Sequence, residues 1–187
     1  VYSCAEKGGF GILDEINMAR NEALAVLHSV LDFRRVIDVP GYERIQLADD
    51  TRFIATMNYN YAGTRELNEA LASRFVVIQM PPAEHDDLQK IINDQFPDMT
   101  RKYNNNFTML FIDFQKKCES GELTARAMDL RGLLDAISLI RKGIQARDAL
   151  ELCITNKIFD TYEQGLIRDM IDARIPVRLD LSEVFDK

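Results

Sequence analysis

Two adjacent acids, Asp14 and Glu15, stand at the end of a short apolar run, Gly9-Phe-Gly-Ile-Leu13. A strand that ends this way sets two carboxylates at the carboxyl end of a sheet, where α/β folds bind their ligands. Two negative charges there repel each other and resist desolvation without a positive partner. A magnesium–nucleotide complex is such a partner: the Asp holds the metal and the Glu orients an attacking water. Many strands end in an acid for no such reason, so the pair is informative only in company. Three further residues supply it. Asn58 ends the run Phe53-Ile-Ala-Thr-Met57, Arg74 stands just before Val76-Val-Ile-Gln-Met80, and Arg126 lies within Leu123-Thr-Ala-Arg-Ala-Met-Asp-Leu130. Metal ligand, water positioner, polar sensor and cations are the parts that phosphoryl transfer uses.

Each of these residues has a plainer reading. Asn after a strand commonly caps a turn. Arg74 has surface acids in reach of its sequence neighbourhood, Glu69 or Asp50. Arg131 rivals Arg126 but, five residues on, faces another side of a helix. Arg65 and Glu66 make an ordinary solvated pair, and Tyr59 and Tyr61 read as loop packing. His28 and His85 are isolated. Cys4, Cys118 and Cys153 are too few and too dispersed for a zinc site or a disulfide framework, which fits a reducing, cytoplasmic setting.

The elements that must position these residues follow from the hydrophobic pattern. Residues 9–14 predict a buried strand. From Glu15 to about Arg35 the stripe Ile16, Ala23, Leu27, Val30 and Leu31 predicts one helix, with Arg34 and Arg35 suited to its last turn. Two extended runs about Pro40-Gly41 predict a β-hairpin over 36–47, closed by Asp49-Asp50. Thr51–Met57 predicts a second buried strand. Thr64 or Asn68 is the expected cap of a short helix through Ser73, and Val76–Met80 the third strand. Pro81-Pro82 stop the sheet pattern. Beyond them the pattern is helical, with helices expected near 84–95, 107–119, 125–142 and 146–172, the last broken at Gly165. Leu130, Leu133, Leu134, Ile137 and Ile140 form its clearest stripe.

The order and spacing of these features resemble the second half of an AAA+ ATPase module, nearest to the MoxR-type and dynein/midasin-related group. The motifs that carry the resemblance are Ile12-Leu-Asp-Glu-Ile-Asn-Met-Ala19, Phe53-Ile-Ala-Thr-Met-Asn58 and Gly63-Thr-Arg-Glu-Leu-Asn-Glu-Ala-Leu-Ala-Ser-Arg-Phe75. The hairpin between the first two is similar to that branch's pre-sensor-1 hairpin. The likeness is firm to about Met80 and looser beyond. It implies an α/β fold: the carboxyl-terminal part of a P-loop AAA+ parallel sheet over 1–82, then an all-α lid bundle over 83–187. It also implies ATP and Mg2+ as cofactors. Asp14 becomes the Walker B magnesium ligand and Glu15 the catalytic glutamate. Asn58 becomes sensor 1, Arg74 an arginine finger offered to a neighbouring subunit, and Arg126 sensor 2. Assembly into a ring is implied, often a hexamer in this family. Relatives act in a chaperone-like way, remodelling or activating partner proteins, frequently ones with von Willebrand factor A domains.

One departure is large. No Gly-x-x-x-x-Gly-Lys-[Ser/Thr] occurs in the 187 residues; Gly8-Gly9-Phe10-Gly11 lacks the Lys and precedes a strand. That loop supplies most of the N–H groups that cradle phosphates. The expectation is therefore a fragment of a larger ATPase that is inert alone. The alternative is a degenerate scaffold serving as an interaction module. A net charge of −7 and a pI near 4.9 disfavour a nucleic-acid partner, and no apolar run has the length of a membrane span.

Overall fold

The computed structural model describes residues 1–58 and 67–186. The chain divides into two compact units, Val1–Met80 and Pro81–Lys187.

The first unit is built on a parallel pair of strands, β1 (Phe10–Leu13) and β4 (Arg52–Ala55). Their register runs from Phe10 opposite Arg52 to Leu13 opposite Ala55, so both strands point their carboxyl ends the same way. Gly11 is required by that pairing: a Cβ there would lie 2.7 Å from the Phe53 ring. Helix α1 (Tyr2–Lys7) precedes β1. A second, antiparallel pair, β2 (Val36–Ile37) and β3 (Ile45–Gln46), forms the expected hairpin. Its turn is closed by Tyr42 N–H donating to Val39 O at 3.0 Å, with Gly41 at a positive φ of 85° that a side chain would disfavour.

Packing is one-sided. Leu13 and Ala55 face a cluster of Ile16, Leu24, Leu27 and Leu71, and Phe53 faces Ala5, Val30 and Leu47. On the other face Phe10, Ile12 and Ile54 stay 73%, 70% and 50% exposed. The two strands are thus half-buried, not buried as their unbroken apolar runs predict. Continuous apolarity reports two faces able to bury; it does not say that both are covered.

The expected long helix after Glu15 is broken into a 3-10 turn (Ile16–Met18), α2 (Asn21–Leu24) and α3 (Leu27–Leu31). Glu15 is left-handed, and Ala19 and Arg20 are extended, so no helix can run through them. Leu24 takes the buried position expected of Ala23. Arg34 and Arg35 lie beyond α3, not in its last turn. Arg34 pairs with Asp32, and Arg35 Nη2 donates to Ala48 O and Thr51 O at 2.9 and 3.1 Å. Carbonyls of the turn before β4, not a helix dipole, occupy that cation.

Asn68 caps α4 (Glu69–Ala72), its Oδ1 accepting from Ala70 N–H at 2.8 Å. Thr64, the other candidate cap, lies outside the described residues, as do Tyr59, Tyr61, Arg65 and Glu66. Val76–Met80 is not a strand. Val76, Ile78 and Met80 are 93%, 78% and 84% exposed. A strand needs a neighbour for its backbone groups, and none of the described strands pairs with this segment.

The second unit is helical: α5 (His85–Gln95), α6 (Arg101–Glu119), α7 (Leu130–Arg141), α8 (Ala146–Cys153), α9 (Thr161–Arg174) and α10 (Leu181–Val184), with 3-10 turns at Ala125–Ala127 and Thr155–Lys157. Asp86 and Asp87 favour the amino end of α5. Helix α6 starts six residues before its expected bound, because Tyr103 extends the buried stripe of Phe107, Leu110, Phe111 and Phe114. The expected 125–142 helix restarts at Asp129, whose Oδ1 caps α7 by accepting from Gly132 N–H at 2.8 Å. The expected 146–172 helix breaks at Ile154–Asp160 instead of Gly165. Asp160 caps α9 with bonds from Tyr162 and Glu163 N–H at 2.8 and 3.0 Å, and Gly165 sits inside the helix. A strong cap outweighs the modest cost of a helical glycine.

Leu133, Ile137, Phe107, Leu150 and Ile167 are fully buried in one core. Ion pairs tie helix to helix at its surface: Arg168–Glu151 at 2.5 Å, Arg147–Asp172 and Arg174–Asp113 at 2.8 Å. Residues 183–186 return to the start of α6. Thr100 N–H donates to Val184 O at 2.8 Å, Tyr103 OH to Glu183 Oε2 at 3.1 Å, and Asp186 N–H to Asp98 O at 2.8 Å. Among the described residues no helix is long and apolar enough to cross a membrane.

Candidate functional site

The parallel register of β1 and β4 brings the two chain ends after Leu13 and Ala55 out together. Thr56 N–H donates to Leu13 O at 3.0 Å, and Ile16 N–H to Thr56 O at 3.0 Å. Asp14 and Glu15 therefore turn off β1 directly beside the segment that carries Asn58. Both acids are exposed, as is Asn58.

Glu15 takes φ 49° and ψ 46°, a left-handed conformation that is uncommon for a residue with a Cβ. Its N–H donates to Thr56 Oγ1 at 3.1 Å. The same hydroxyl donates to Asp14 Oδ1. One side chain thus bonds both acids. On the opposite crossing, Asn17 Nδ2 donates to Asn58 O at 3.0 Å. Asn17 is only 5% exposed, and its Oδ1 is buried with no hydrogen-bond partner among the described residues.

Arg74 lies just past α4. Its Nη1 donates to Ala70 O, and its Nη2 is 3.9 Å from Asp32 Oδ2. Asp32, absent from the sequence reasoning, is its acid, not Glu69 or Asp50. The guanidinium of Arg34 bonds both Asp32 oxygens, and together with the charge of Arg74 it holds this carboxyl down at about 2.

Arg126 belongs to the helical unit. It is exposed, on the 3-10 turn before α7, with its guanidinium 5.1 Å from the centre of the Phe159 ring. The turn is moored by Thr124, whose N–H and hydroxyl both donate to Glu163 Oε2, at 3.1 and 2.9 Å. Arg131 is also exposed and lies near Asp129, whose carboxyl is pushed up by burial but brought net below its usual range by Lys157, by the Gly132 N–H and by Arg131.

The structure thus joins Asp14, Glu15 and Asn58 at one strand end, and places Arg74 in the same unit. Two residues there carry structure that sequence reasoning passed over, Thr56 and Asn17. Both lie inside the quoted motifs, as polar residues among apolar ones. The donor set fits part of a magnesium site. Carboxylate oxygens are hard ligands, and Mg2+ is commonly held by one or two carboxylates together with phosphate oxygens. It does not fit a cage made by protein alone: among the described residues no three His, Cys, Asp or Glu side chains group to hold an ion.

Residues 1–75 match the family described as AAA domain (dynein-related subfamily), which supports an AAA+ ATPase module over that stretch. The chain is also 32% identical over 174 residues to the uncharacterized protein YojN of Bacillus subtilis (strain 168). That match covers 92% of this chain and 57% of the relative. It is 33% identical over 173 residues to an uncharacterized protein of Staphylococcus aureus (strain NCTC 8325 / PS 47), covering 92% of this chain and 65% of that one. The chain spans roughly three fifths of the length of these curated relatives.

Proposed function

We propose that this chain is the Walker B, sensor and lid portion of an ATP-hydrolysing, ring-forming AAA+ protein of the MoxR-type and dynein/midasin-related group. The observation that carries the reading is the parallel β1–β4 pair, which sets Asp14-Glu15 and Asn58 at one strand end in the region similar to an AAA domain. In this reading Asp14 holds Mg2+, and bound Mg2+ draws charge from the phosphates of ATP. Glu15 orients the attacking water, and Asn58 senses the terminal phosphate. Arg74 serves a neighbouring subunit's nucleotide, and Arg126 reaches phosphate from the helical lid. The whole protein remodels or activates partner proteins, with a von Willebrand factor A-domain partner favoured by family analogy. These 187 residues hold no phosphate-cradling glycine loop of their own and are inert in isolation.

The test is ATP turnover by the full natural protein that contains these residues, beside the 187-residue chain. The reading expects turnover in the former only, lost in Glu15→Gln and in Arg74→Ala. Turnover by the isolated chain that Glu15→Gln abolishes would refute its inertness.

A second reading is favoured by one observation. Arg74 is engaged within its own unit, by Ala70 O and Asp32, with its side chain 27% exposed. A degenerate scaffold acting as an interaction module has no need to free it. Absence of nucleotide binding in the full protein selects this reading.

A further inference from the structure

We infer that Thr56 is a positioning residue for both acids, and that with Asn17 it forms a reciprocal clamp across the ends of β1 and β4. The inference rests on the ATP-hydrolysing reading above and assigns a role to a residue that reading does not use.

Three observations carry it. First, a single hydroxyl serves both carboxylate residues: Thr56 Oγ1 accepts from Glu15 N–H at 3.1 Å and donates to Asp14 Oδ1. A donor on Oδ1 fixes the rotation of the Asp14 carboxyl group and leaves its other oxygen to a ligand. Second, Glu15 is held in a left-handed conformation that costs backbone energy, and such conformations persist where the surroundings over-determine them. Here the surroundings are Thr56 three times over: its N–H on Leu13 O, its carbonyl on Ile16 N–H, and its hydroxyl on Glu15 N–H. Third, the crossing is returned. Asn17, two residues past Glu15, is buried and bonds the backbone of Asn58, two residues past Thr56, at 3.0 Å. Each strand end thus sends one polar side chain to hold the other's functional residue. Neither Thr56 nor Asn17 is asked to touch the reacting atoms. They hold the Asp14 carboxyl and the backbone from which Glu15 and Asn58 project.

The geometry separates the hydroxyl from the rest of Thr56. Thr56→Val keeps the β-branched shape and the two backbone bonds and deletes only the hydroxyl; Thr56→Ser keeps the hydroxyl. In the full natural protein, Thr56→Val should lower kcat roughly 10- to 100-fold, as loss of an orienting partner does elsewhere. KM for ATP should rise as well, because the Asp14 carboxyl that the hydroxyl orients also holds the Mg2+ of the bound nucleotide in this reading. Thr56→Ser should restore most of kcat. The second readout is amide hydrogen exchange at Glu15 in the 187-residue chain, faster in Thr56→Val than in Thr56→Ser or the unaltered chain.

Wild-type kcat in Thr56→Val overturns the proposal. So does an equal loss in Thr56→Ser, which marks a packing role, or unchanged exchange at Glu15. If the unaltered full protein turns over no ATP, the ATP-hydrolysing reading fails and the catalytic role of the clamp falls with it. Exchange at Glu15 then still decides the hydrogen bond itself, so the two failures are told apart.

Discussion

Arg74 Nη2 stands 3.9 Å from Asp32 Oδ2, the same oxygen that Arg34 Nη2 reaches at 2.7 Å. One carboxylate at the end of α3 thus anchors a cation from its own turn and approaches a second from the segment after α4. The proposed arginine finger is therefore tethered inside its own unit by a group that can be removed.

Asp32 is held at about 2 chiefly by its hydrogen bonds from Arg34. A carboxyl depressed on folding adds stability at pH above its unfolded value and loses it as pH falls through the folded one. The ordinary value is 3.8. The contribution should be complete above about pH 4 and fade toward pH 2. Urea unfolding of the unaltered chain and of Asp32→Asn across that range checks this. The variant should be the less stable at pH 5, and the gap should close toward pH 2.

Two glycines in the helical unit predict opposite signs. A Cβ at Gly132 would lie 2.6 Å from Cys153 O and from Asp129 Oδ2. Gly132→Ala should cost about 1–3 kcal/mol by overpacking, since the carbonyl is backbone and cannot swing away. Gly165, inside α9, has nothing within 4 Å. Gly165→Ala should stabilise by roughly 0.5–1 kcal/mol, through helix propensity and a less flexible unfolded chain. Thermal unfolding of both variants measures the difference.

The helical core rests on side chains with no exposure at all, Ile137 among them. Ile137→Ala should cost about 2–5 kcal/mol through lost burial and the cavity left behind. Denaturant unfolding followed by far-ultraviolet circular dichroism reads it, because most of that unit's backbone is helix.

Burial pushes the thiols of Cys118 and Cys153 above the usual value, and nearby acids add to the effect. The thiolate is the reactive form. At pH 7.5 both should react with a disulfide reagent more slowly than free cysteine does, and denaturant should remove the difference. A fast native reaction at either position contradicts the burial of these thiols.

Local chemistry was legible in the sequence where a residue acts on its immediate neighbours. Pro40-Gly41 marked the hairpin, Asn68 the cap of α4, and the Leu133–Ile137–Ile140 stripe the buried face of α7. The candidate site was legible as an ordered set of residue types. What joins that set was not. Thr56 reads as one more β-branched strand residue, and only the register of β1 on β4 turns its hydroxyl into a bond to Asp14 and Glu15. Asp32 falls inside the stretch expected to be one helix and has no marked role until folding brings Arg74 beside it. The misread elements share a cause. An apolar run such as Val76–Met80 records a capacity to pair, and pairing requires a neighbour that periodicity cannot supply. The break at Ile154–Asp160 was missed because Gly165 is the more conspicuous residue, although Asp160 makes the stronger local bonds.

The return of residues 183–186 to the start of α6 bears on the order in which the helical unit is completed. The hydroxyl of Thr100 and that of Tyr103 wait for partners at position 183, separated from them by 83 and 80 residues. Contacts that distant carry a loop-closure cost and come late in a search dominated by local structure. During synthesis, α5 and α6 emerge well before Val184 and Phe185 exist to cover their flank. The early helices must therefore remain folding-competent with that flank open, and residues 183–186 work as a latch that shuts this flank only once everything between has been made.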